Sequence, residues 1–186
     1  MRIESLYSHL SDHLFINFLN TIRHEYDQTT DILEKKDVDE WFSLMKDEQL
    51  LTDRQIEKLK EAPVSIHELQ SFRDRWRTYL QHSSNELPID ELERSTKETP
   101  LSFELSSGSL VPVPHRGGTD GFLSLLSFLM LQAYENSTFS KVKNCDNPTC
   151  LALFVDKKGK RKWCSMKVCG NRVKAQKHYD KKKAES

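Results

Sequence analysis

The chain has little of what usually announces a function. Its 186 residues contain no internal repeat, no glycine-rich phosphate loop and no nucleophile elbow. Seven histidines are scattered along it; His9 and His13 lie one helical turn apart, but no HExxH pattern surrounds them. Carboxylates abound without a distinguished pair, so no enzyme is expected. No apolar run approaches the roughly 20 residues needed to cross a bilayer, which excludes a membrane-spanning helix. The opening MRIESLYSHLSDHLF has no basic region followed by an apolar core and a small-residue cleavage site, so no export signal is expected. Formal net charge is zero, and the four cysteines form no C-x-x-C redox pair.

What is present is concentrated. All four cysteines fall within 25 residues, as Cys145-Asp-Asn-Pro-Thr-Cys150 and Trp163-Cys164-Ser-Met-Lys-Val-Cys169. Each pair encloses four residues, and 13 residues separate the pairs. Zinc takes four soft or borderline ligands in a tetrahedron, and paired cysteines on short loops supply them at low chain-closure cost. Two disulfides or four inert thiols are the alternatives. Cys145, Cys150, Cys164 and Cys169 are therefore read as ligands of one zinc ion. A catalytic zinc keeps an open position and usually mixes in His or carboxylate ligands. The nearby His178 is nine residues past Cys169 and reads as a helix-surface residue. The 46 residues from Lys141 to Ser186 hold too few large apolar side chains for a self-sufficient core. Zinc binding in finger peptides is worth about 10–16 kcal/mol of folding free energy, so the ion is expected to be structural. With no export signal and with thiols committed to metal, the cytoplasm is the expected compartment.

Locally the segment reads as a treble-clef-like module. Asn147-Pro148 turns a zinc knuckle. Leu151–Val155 and Lys160–Trp163 read as two strands around a turn at Lys157–Gly159. Ser165 caps a helix running to about Lys182. Gly170 costs that helix about 1 kcal/mol relative to Ala, and a close backbone approach near the metal would account for it.

These residues resemble the CGNR zinc finger. The likeness rests on Cys145-Asp-Asn-Pro-Thr-Cys150, on Trp163-Cys164-Ser-Met-Lys-Val-Cys169, and on Gly170-Asn171-Arg172 followed by Lys174 and Ala175. The resemblance implies a preceding ABATE domain and a role among stress-induced transcription regulators.

The zero net charge hides an asymmetry. Residues 141–186 carry 14 Lys and Arg against 4 Asp and Glu, a balance of +10. The preceding residues carry 14 against 24, a balance of −10. Zinc with four thiolates reduces +10 to +8. A basic module beside an acidic domain points to a polyanion partner. On the C-terminal helix, Lys167, Lys174, His178 and Lys181 share one stripe, with Lys177 at its flank. Lysines of this kind grip phosphate and set register. Arg172 points away from the stripe, to brace the module or to touch phosphate from the other side. DNA is the first reading, with an acidic protein partner as its rival and RNA third. The absence of an aromatic cluster on the basic helix argues against single-strand stacking. Specific binding by one small module would favour a dimer.

The first 140 residues read as mainly helical, so the expected fold is mainly α with a small β-hairpin, divided into a domain at 1–140 and a zinc module at 141–186. Helices are expected at Leu6–His24 with Asp12 as N-cap, Asp37–Lys46, Thr52–Glu61, Val64–His82 and Pro88–Lys97. Asp27–Lys36 reads as a polar connection. Leu101–Leu105 and Ser109–Val113 alternate as a hairpin. Phe122–Tyr134 is apolar almost all round, hence a central core helix or a dimer face. Phe18-Leu-Asn-Thr21 resembles a Phe-x-Asn-Thr signature of ABATE domains. Asn20 and Thr21 would then face a pocket for a small-molecule effector, or else bond locally. Arg73, close to the apolar stripe of its helix, would bind an anionic ligand, pair with a carboxylate or snorkel to water.

Overall fold

Helical spacing of apolar residues sets most of the elements. The computed structural model describes residues 10–25, 28–35, 38–81, 87–106 and 108–184. Leu6, Asp27, Lys36, Asp37 and His82, which belonged to expected elements, lie outside the described residues. Among the described residues stand eight α-helices and three two-stranded antiparallel sheets. The mainly α reading holds, with three small two-stranded sheets.

The chain runs α1 (Leu14–Leu19), β1 (Ile22–Glu25), β2 (Gln28–Asp31), α2 (Ile32–Lys35), α3 (Val38–Asp47) and α4 (Asp53–Leu59). It continues through α5 (Ile66–Gln81), α6 (Ile89–Glu98), β3 (Leu101–Ser106), β4 (Ser109–Pro114) and α7 (Gly118–Glu135). Helix α7 is the core helix of the two options: Phe122, Leu125, Leu126 and Met130 are fully buried. The Phe122 ring meets those of Phe18, Trp41 and Phe42 at centroid distances of 5.6, 5.6 and 5.1 Å. These steep edge-on contacts are favourable beyond the area they bury. Thr52 caps α4 through a capping box with Gln55, as its position before the helix implies.

The first helix is shorter than its apolar pattern suggests. It stops at Leu19, and Ile22–Glu25 pairs antiparallel with Gln28–Asp31. Two things end it. Thr21 Oγ1 donates to the Phe18 carbonyl at 2.8 Å, and the Asn20 side chain is engaged by a distant backbone. The β-branched Ile22, Thr29 and Thr30 then suit a hairpin. Asp12 is not the cap; it pairs with Lys157 at 2.9 Å, and His13 holds the cap position without a side-chain bond.

The C-terminal hairpin also differs from expectation. Strand β6 (Leu153–Val155) pairs with β5 (Val142–Asn144), Val142 opposite Val155, and not with Lys160–Trp163. Leu153 and Val155 are buried in the core built by α1, α5 and α7, beside Phe139. That burial dictates which partner β6 takes. Residues 160–163 run beside the first knuckle instead, where the Asp146 amide donates to the Lys162 carbonyl at 2.8 Å. The two sides of the 140/141 boundary therefore share one core. A second cluster, made of Cys145, Ala152, Phe154, Cys164 and Cys169, belongs to the metal centre alone.

Candidate metal centre and basic helix

The four cysteine sulfurs lie within 4.8 Å of one another, three of the residues buried and Cys150 half-buried. Cys150 Sγ is 3.8 Å from Cys164 Sγ, which is 3.6 Å from Cys169 Sγ. Tetrahedral zinc with Zn–S bonds of about 2.3 Å sets sulfurs about 3.8 Å apart. Donor type, number and spacing all fit one structural zinc. The first knuckle aims its two sulfurs through backbone bonds. The Cys145 amide donates to the Ala152 carbonyl at 3.1 Å, and the Cys150 amide to the Asn147 carbonyl at 2.9 Å. Two further amides face sulfur: Ala152 N donates to Cys150 Sγ at 3.5 Å and Cys164 N to Cys145 Sγ at 3.4 Å. Such donors favour thiolate over thiol. Hydrogen bonds from Cys150, Cys164 and Cys169 drive the Cys145 pKa far down, and the same crowding drives that of Cys150 up. Thiols packed this tightly ionise together only around a cation.

Ser165 caps the segment that follows, accepting from the Val168 amide at 3.4 Å, but the first turn is not α-helical. Met166–Gly170 form one π turn, closed by the Gly170 amide donating to the Ser165 carbonyl at 3.0 Å. Helix α8 (Asn171–Ala184) continues from it. The ligand spacing explains the turn. At about 100° per residue, an α-helix would set Cys164 and Cys169 about 140° apart. A π turn, with its i→i+5 bond, brings such a pair to one side. A Cβ at Gly170 would fall 2.4 Å from Met166 Sδ and 3.4 Å from Trp163 Cε3, so these two side chains bound its space.

Asn20, Thr21 and Arg73 lie on a polar seam between α1, β2 and α5, and part of that seam ties the metal centre to the rest of the chain. Asn20 pairs like a strand with Leu153: Nδ2 donates to its carbonyl at 2.9 Å and Oδ1 accepts from its amide at 2.8 Å. The Arg73 guanidinium binds Asp31 in bidentate fashion, at 2.9 and 2.7 Å, and donates to Thr21 Oγ1 at 3.1 Å. Burial opposes the Arg73 charge, yet hydrogen bonds with Asp31 and Asp74 hold its pKa above the ordinary value. Arg77, four residues on, donates to the Leu19 carbonyl at 2.7 Å and the Leu151 carbonyl at 2.6 Å. Burial, helped by the Arg73 charge, pulls Arg77 down to about 10, so it stays charged at neutral pH. Sequence reading passed over Arg77 and Asp31. The i, i+4 spacing of Arg73 and Arg77 on one helix face was the available signal.

Helix α8 leaves the metal centre with its main contacts to the π turn, and residues 174–183 are exposed. Lys174, His178 and Lys181 fall on one stripe with Lys177 at its edge, as expected. Lys167 lies in the π turn, so the 3.6-residue period does not carry it onto that stripe. Arg172 is on the opposite side, half-buried, lining a cleft of about 780 Å³. The other walls come from Asn147, Pro148, Trp163, Gln176 and Lys177. Sequence reading weighed aromatics only along the basic helix. Trp163 is brought beside that helix from the preceding segment.

Among the described residues no helix is long and apolar enough to cross a membrane. No curated protein matches the chain. Residues 141–182, which carry the four-cysteine centre, the π turn and nearly all of the basic helix, match the family model of the CGNR zinc finger.

Proposed function

We propose that this chain is a DNA-binding transcription regulator that lays helix α8 against duplex phosphates. One observation carries the reading: a 14-residue helix projects from a metal-anchored base, polar on every side and strongly basic. A helix that short is marginal in water without a partner. Lys181, Lys182 and Lys183 in its last turn complement its dipole, and the same charges suit a polyanion. The rival partner, an acidic protein, is less well served. Helices that dock into protein grooves present apolar anchors along one face, and the exposed part of α8 offers only Tyr179.

Residues 1–140 act in this reading as an ABATE-like domain that senses an effector, pairs subunits, or both. An effector at Asn20, Thr21 and Arg73 would compete with the Arg73–Asp31 pair and with the Asn20–Leu153 bonds, and so loosen the seat of the metal centre. Pairing would supply the second half-site that one small module needs. The chain is proposed to be non-catalytic and cytoplasmic, and its link to stress response rests on the family resemblance.

Charge reversal on the stripe tests the interface. Lys174→Glu/Lys181→Glu is expected to weaken duplex binding at least ~10-fold at moderate salt, through lost phosphate contacts and added repulsion. Lys97→Glu, on the remote α6, is expected to bind as wild type. Unchanged affinity in the stripe variant would remove α8 as the interface. Fluorescence anisotropy on a labelled duplex reads both.

A further inference from the structure

The cleft behind α8 has a composition that phosphate gripping alone does not explain. Trp163 forms part of its wall and is half-buried. Arg172 and Lys177 from α8, and Lys162 from the segment before Trp163, bring three cations to the same space. Asp146, Asn147 and Gln176 add hydrogen-bonding side chains. At about 780 Å³ the cleft lies within the roughly 300–1,000 Å³ of small-ligand sites. Its position relative to the stripe matters. Counting about 100° per residue along α8, Arg172, Val173 and Gln176 lie on one side and Lys174, His178 and Lys181 on the other. Lys177 sits between them and belongs to both surfaces.

An aromatic plane ringed by three cations, two amides and the single carboxylate of Asp146 matches the chemistry of an unpaired nucleotide. A base stacks on the ring whatever its identity, the phosphate takes the cations, and amides meet base edges. A blunt duplex offers no such base. We propose that this cleft binds one unpaired nucleobase stacked on Trp163, with its phosphate at Arg172 and Lys177, next to the duplex face of α8. This rests on the nucleic-acid reading above and extends it. The module prefers nucleic acid in which an unpaired base adjoins a duplex.

Tryptophan emission gives a direct readout. The other two tryptophans, Trp41 and Trp76, are 1% and 0% exposed, so quenching by a stacked base reports on Trp163. Zinc-loaded full-length protein is titrated with a blunt duplex and with the same duplex bearing a short single-stranded overhang. The overhang is expected to quench emission and to bind more tightly, whereas the blunt duplex binds without quenching. Trp163→Leu is expected to cost the overhang's advantage, roughly 5- to 150-fold from the usual range for one stacked base, and to leave blunt-duplex affinity within about twofold. Because Trp163 packs beside the metal centre, zinc content is measured for each variant. Trp163→Phe, which keeps an aromatic face, is expected to retain most of the preference. Equal affinity for the two probes in wild type, or an overhang advantage that survives Trp163→Leu, overturns the proposal. Loss on both probes only in Lys174→Glu/Lys181→Glu, without quenching, overturns the cleft and leaves the helix reading intact.

Discussion

Removing zinc is expected to unfold residues 141–184 and to weaken the rest of the protein with them. Zinc in small finger modules contributes about 10–16 kcal/mol of folding free energy, as much as or more than the roughly 5–15 kcal/mol by which whole domains are stable. Apart from the four cysteines, the cluster around the metal consists of Ala152 and Phe154 with Trp163 and Val168 at its edge, too little to hold the knuckles together. The effect does not stop there. Leu153 and Val155 sit in the N-terminal core, and each buried aliphatic side chain is worth about 1.5–3 kcal/mol. Cys164→Ser gives the same result without a chelator, since its sulfur lies between those of Cys150 and Cys169. Far-UV circular dichroism with metal analysis should show helix loss in step with zinc loss, and a lowered melting temperature for what remains. An apo protein with unchanged helix content would contradict a structural metal.

The second large effect is expected at Arg73. Its side chain is 2% exposed and that of Asp31 is 12% exposed, so their bidentate pair is largely out of water. Breaking such a pair from one side leaves an uncompensated charge and typically costs about 3–5 kcal/mol. Arg73→Met and Asp31→Leu are each expected to lose about that much in urea unfolding. The double variant should recover most of it, because apolar replacements of both partners are often near neutral. A single variant losing under about 1 kcal/mol would mean that the pair is not structural and would return Arg73 to the role of ligand anchor. The location adds a second readout. Arg73 and Arg77 share one face of α5, and Arg77 joins the Leu19 and Leu151 carbonyls. Loosening at Arg73 is therefore expected to reach the first zinc knuckle, visible as faster zinc loss to a chelator.

The metal centre was legible because its chemistry is carried by residue type. Four cysteines in two pairs identify the ion without any knowledge of backbone path. The path itself was less legible. Cys-x₄-Cys before Gly170 gives the spacing that a π turn serves, but a five-residue departure from α-helix leaves no periodicity to read. The pairing of β6 was hidden for another reason. Val142-Lys-Asn144 carries no strand pattern, and its selection depends on Leu153 and Val155 reaching the core built by α1, α5 and α7. Asn20 shows the same limit: its two bonds to Leu153 span 133 positions, so it reads as a polar residue on a helix until the fold closes. The long helices, α3, α5 and α7, and the β3–β4 hairpin followed their apolar patterns to within two to four residues, because local period and burial agree there.

The most direct test of the whole account is the affinity of zinc-loaded, full-length protein for duplex DNA across a salt series. Lys174, Lys177, His178 and Lys181 stand on one exposed helix, so about three to four phosphate contacts are expected. That predicts a log–log slope of about −3 to −4, flattening by about two contacts in Lys174→Glu/Lys181→Glu. No binding at low salt, or binding with a slope near zero, would contradict a phosphate-reading helix and turn attention to a protein partner.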